Sequence, residues 1–73
     1  MKDMFALKNG FESYRSMLKN STVVYKLRGM RWLITLTDNG YLAWIDEFID
    51  MPLGYFDSMV LAKEEIDNYR NQF

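Results

Sequence analysis

The chain has 73 residues, 49% hydrophobic and 16% aromatic, with no cysteine, no histidine and a formal net charge of −1. A single domain over residues 1–73 is expected, held by apolar packing, because disulfides and thiolate or imidazole metal sites are ruled out. The usual general base and thiol nucleophile are also missing, so the reading is of a non-enzyme with no cofactor and no metal.

Residues 3–19 read as one helix. Met4, Leu7, Phe11, Tyr14 and Leu18 recur in steps of three and four, which makes a single apolar stripe. Asp3 at the start and Lys19 at the end suit the helix dipole, and Gly10 is a weak or close-contact point inside. Residues 22–37 read as a hairpin turning at Gly29-Met30, with Gly29 suited to a type II′ turn. That turn puts Val23, Tyr25, Leu27, Trp32, Ile34 and Leu36 on a core face. Thr22, Val24, Lys26, Arg28, Arg31, Leu33, Thr35 and Thr37 fall on the other.

A third strand over about 41–46 follows the Asp38-Asn39-Gly40 turn. Two registers are open. A three-residue loop turns Leu42 and Trp44 inward and sets Glu47 opposite Arg31. A two-residue Asn39-Gly40 turn instead buries Ala43 and Ile45 and leaves Trp44 out. The first is preferred because it buries the tryptophan. Residues 48–56 read as a loop or short irregular strand around Pro52 and Gly54. Asp57 and Ser58 are N-cap candidates for a second helix to about Asn71, with the stripe Met59, Ala62, Ile66, Tyr69 and Phe73. The expected fold class is α+β, in the order α-β-β-β-α. Its sheet is a three-stranded antiparallel meander with both helices packed on one face.

The near-neutral charge hides a strong sorting. Up to Thr37 there are seven bases and two acids; from Asp38 onward there are eight acids and two bases. Such surface fields steer charged partners. The function read from this is a small non-catalytic interaction protein that binds another macromolecule through an acidic surface, most simply a protein with a basic groove. Asp46, Glu47, Asp50, Glu64, Glu65 and Asp67 are the candidate contact residues. Small accessory or inhibitor proteins of phages and mobile elements have this size and make-up.

The alternative is a nucleic-acid-binding module that uses Lys26, Arg28 and Arg31 on the sheet. Strand-turn-strand followed by FDS and AKEEID resembles, over about half the chain, the three-stranded, helix-backed domains that bind arm sites in phage-type integrases. The likeness lies in element order, not in diagnostic residues, and the acidic second helix departs from it. Residual apolar sheet residues (Val24, Leu33, Tyr41, Ile45) would offer a face for a second copy. No window reaches the roughly 18 apolar residues of a membrane span, and MKDMFALKNG opens on a charge pair. With no cysteine either, the expected location is cytoplasmic.

Overall fold

The computed structural model describes residues 2–47 and 50–72. The elements are α1 (Lys2–Lys8), α2 (Tyr14–Lys19), β1 (Ser21–Leu27), β2 (Met30–Thr37), β3 (Gly40–Asp46), β4 (Met51–Phe56) and α3 (Met59–Arg70). The α+β class holds, but the strands form a four-stranded antiparallel meander, β1-β2-β3-β4, and the order is α-α-β-β-β-β-α.

The expected first helix is broken in two at Gly10. Its φ of +88° is a left-handed conformation that glycine adopts without steric cost. Gly10 N donates to Leu7 O at 3.1 Å and Phe11 N to Ala6 O at 3.0 Å, the paired bonds of a Schellman stop. Ser13 then caps α2, accepting from Ser16 N at 3.1 Å. Because the helix does not run through, the stripe does not either. Met4 and Leu7 are 64% and 61% exposed, while Ala6 and Asn9 are buried in their place.

The two helical units lie on opposite faces of the sheet, not on one. Leu33, Leu42 and Trp44 are buried with Ala6 of α1 and Met17 of α2. Trp32, Ile34, Ala43 and Ile45 are buried with Ala62 and Ile66 of α3. The central strands β2 and β3 are therefore covered on both sides, which is why WLITL and LAWI read as continuous apolar runs. Neither third-strand register holds: Leu42 and Trp44 are buried, but on the face opposite Trp32 and Ile34, which Ala43 and Ile45 share. The residual face expected for a second copy is not there. Leu33 and Ile45 are buried, and Val24 and Tyr41 are half-buried against the α3-side core. Leu36, expected inside, is exposed near the end of β2, beyond the helices.

The first hairpin turns one residue earlier than expected, at Arg28-Gly29, so Leu27 pairs with Met30 and Tyr25 with Trp32. Both turn residues have positive φ (51° and 83°), as in a type I′ turn. A bulge at Val24 reverses the alternation beyond it, and Val23 consequently pairs with Leu33 rather than lying on the Tyr25 face. Arg28 holds a left-handed conformation that costs a residue bearing a Cβ about 1–2 kcal/mol and suits asparagine better. Arg28→Asn is expected to stabilise the domain by up to about 1 kcal/mol, read as a higher urea midpoint at unchanged slope. A lowered midpoint would contradict this account of the turn.

The second hairpin turns at Asp38-Asn39, with Thr37 paired to Gly40. Gly40 has φ +113°, and a Cβ there would meet Phe56 O at 2.8 Å, so the turn and the approach of β4 both require glycine. The segment read as a loop or short irregular strand holds β4, an edge strand bulged between its pairs with Ala43 and Trp44. Its exposed Pro52 is tolerated because only one side of an edge strand is bonded. Ser58 caps α3, accepting from Leu61 N at 3.2 Å. Of the expected α3 stripe, Ala62 and Ile66 are fully buried, Tyr69 is half-buried and Met59 is 40% exposed; Phe73 lies outside the described residues.

Candidate functional site

Two of the predicted acidic contacts are committed inside the protein. Asp46, at the end of β3, pairs with Arg31 across the ladder. This corrects the expected Arg31–Glu47 pair by one residue. Arg31 Nε donates to Asp46 Oδ2 at 2.7 Å, and Arg31 Nη2 donates to the same oxygen. Asp46 Oδ1 accepts from Tyr14 Oη at 2.6 Å and Lys2 Nζ at 3.1 Å. Asp50 Oδ1 accepts from Lys2 Nζ at 2.8 Å and Tyr14 Oη at 3.1 Å. Lys2 uses its third proton on Glu47 O at 2.5 Å.

Two carboxylates thus meet two cations, with side chains of Asp46 and Asp50 only 12% and 4% exposed. Burial alone would raise the Asp46 pKa, but hydrogen bonds from Tyr14, Arg31 and Lys2 outweigh it and hold it below the usual carboxylate range. Burial, reinforced by its bond to Asp46, keeps the Tyr14 phenol protonated far above its ordinary titration range. The cluster ties α1 and α2 to the end of the sheet. Part of the charge sorting along the sequence is therefore internal matching.

The other acids lie elsewhere. Glu64, Glu65 and Asp67 are on α3, across the sheet from α1 and α2, with Glu64 and Asp67 exposed and Glu65 half-buried. Steps of four, three and four align Val60, Glu64, Asp67 and Asn71, opposite buried Ala62 and Ile66. Beside this row α3 also exposes Leu61. Val60 and Leu61 are 65% and 46% exposed. Lys26 and Arg28, the other two bases of the alternative reading, are exposed, with no ion-pair partner among the described residues.

Sequence reasoning missed a pocket of about 570 Å³ on the α3 side of the sheet. Tyr25, Trp32 and Ile45 line it from the strands, Leu27 and Met30 from the hairpin, and Tyr69 and Arg70 from the last turn of α3, with Glu47 completing it. Tyr25 and Trp32 meet edge to face with centroids 5.2 Å apart, and Arg70 Cζ stands 3.3 Å from the Tyr25 ring centre. The Tyr25–Trp32 pairing depends on the one-residue shift of the turn, so the expected turn at Gly29-Met30 hid the site. Among the described residues no cluster of carboxylates is arranged to hold a metal ion, and no helix is long and apolar enough to cross a membrane. No family model, curated protein or solved structure matches this chain.

Proposed function

We propose that this chain is a small non-catalytic interaction domain that binds another macromolecule through the outer face of α3. The observation that carries the reading is the pair Val60 and Leu61, turned to solvent at 65% and 46% exposure beside Glu64 and Asp67. Large apolar side chains in the open at the start of a helix favour a partner surface, and the acids select one that is basic. A protein with a basic groove fits that chemistry. The acidic contact set narrows from six residues to the α3 members: Asp46 and Asp50 are buried against cations and Glu47 lines the pocket, whereas Asp67 meets Arg70 only at 3.7 Å on the surface.

The test is affinity capture from lysate with nuclease present, followed by titration of the recovered partner. Glu64→Lys with Asp67→Lys is expected to weaken binding at least about tenfold and to remove most of its salt dependence. Val60→Ser with Leu61→Ser should weaken it without changing the salt slope. Unchanged affinity in both double variants would refute the α3 reading.

The second reading, a nucleic-acid module on Lys26, Arg28 and Arg31, is supported by the exposure of Lys26 and Arg28 at the hairpin tip. It is weakened by the pairing of Arg31 with Asp46. Loss of every captured partner on nuclease treatment would favour it.

A further inference from the structure

The α3-side pocket has the composition of a small-molecule site. Its volume, about 570 Å³, lies within the 300–1,000 Å³ range of pockets that hold small ligands. It exists because α3 packs mainly over β2, β3 and β4 and meets β1 through Arg70 on the Tyr25 ring, leaving Tyr25 and Trp32 beside an open space.

Two opposite charges line this apolar space. Glu47 has no side-chain hydrogen bond or ion pair among the described residues. Arg70 lies over Tyr25, and its contact with Asp67, at 3.7 Å on the surface, is too long for a hydrogen bond and leaves its donors available. Glu47 and Arg70 do not pair with each other.

Aromatic walls select a flat ring, a guanidinium selects a carboxylate, and an unpaired carboxylate selects an ammonium group. We propose that the pocket binds a small zwitterionic aromatic molecule, of which a free aromatic amino acid is the simplest member. The ring packs among Tyr25, Trp32 and Tyr69, the carboxylate turns toward Arg70, and the ammonium turns toward Glu47.

The experiment is an amide-resolved NMR titration of the full chain near neutral pH with L-tryptophan, tryptamine and indole-3-propionate. L-tryptophan is expected to bind tightest, shifting residues of the β1–β2 hairpin, the end of β3 and the last turn of α3. Each half-ligand, lacking one charge, should bind roughly tenfold more weakly. Glu47→Gln should bring L-tryptophan down to the level of indole-3-propionate and leave indole-3-propionate unchanged. Arg70→Gln should bring it down to tryptamine. Thermal melts of both variants confirm that they fold. Three results would overturn the proposal: no saturable shifts at millimolar ligand, equal affinity for all three ligands, or L-tryptophan binding that neither substitution weakens.

Discussion

Asp46→Asn is expected to destabilise the domain by about 2–3 kcal/mol and to flatten its loss of stability in acid. The asparagine keeps the shape but cannot serve as the anion that accepts from Arg31, Lys2 and Tyr14 together. Removing this nearly buried carboxylate leaves Arg31, Lys2 and Tyr14 poorly compensated, which costs more than an exposed pair would although both cations keep some solvent. The pH dependence follows from the lowered Asp46 pKa. A carboxylate bound more tightly as the anion in the folded state contributes its full stabilisation above the unfolded value, near pH 4. That contribution is lost as pH falls further, through the folded pKa. Urea midpoints measured from neutral pH down to about pH 2 should therefore drop steeply for the native chain and less steeply for Asp46→Asn. Parallel curves would show that Asp46 is not the titrating anchor.

Trp44→Ala should be the most damaging single truncation, at about 3–5 kcal/mol, much of the stability of a domain this size. Trp44 is fully buried, with Phe5 at 5.1 Å and Tyr14 at 5.9 Å between ring centres. Its indole N–H also begins a buried relay. Trp44 Nε1 donates to Thr35 Oγ1 at 2.9 Å, Thr35 shares a proton with Ser21 Oγ at 2.5 Å, and Ser21 Oγ donates to Met17 O at 2.7 Å. Since Ser21 gives its proton to Met17, Thr35 is the donor toward Ser21, and each hydroxyl donates once and accepts once. Thr35→Val should therefore cost about 1–3 kcal/mol by orphaning the indole N–H. Adding Trp44→Phe should cost less in that background than it does alone, because the N–H it deletes is already unpaired. Strict additivity in thermal or urea unfolding would remove the relay from the account.

Much of the fold was legible residue by residue. The 3.6-residue pattern of Ala62 and Ile66, with Ser58 before it, gave α3 and its buried side. Glycines near the turns marked both hairpins within one residue. The errors came from features that local pattern does not carry. A bulge at Val24 and a turn one residue early changed every cross-strand partner of β1. The same one-residue scale moved the partner of Arg31 from Glu47 to Asp46. Gly10 reads from sequence as a weak point, but its role as a helix stop needs its φ of +88° and the bonds to Leu7 and Ala6.

Composition by itself determined the kind of stabilisation open to this chain: with no cysteine and no histidine, aromatic and aliphatic packing has to hold a small domain. The order of residues determined that acids gather toward the second half and bases toward the first. Only the tertiary structure decided where those charges act, because a surface field depends on distances in space and not along the chain. Folding brought Lys2 and Arg31 onto Asp46 and Asp50 and neutralised them, while Glu64 and Asp67 stayed in solvent on α3. The placement of helices on both faces was likewise a tertiary outcome. An apolar run such as WLITL states that two faces are buried, but not which helix covers each.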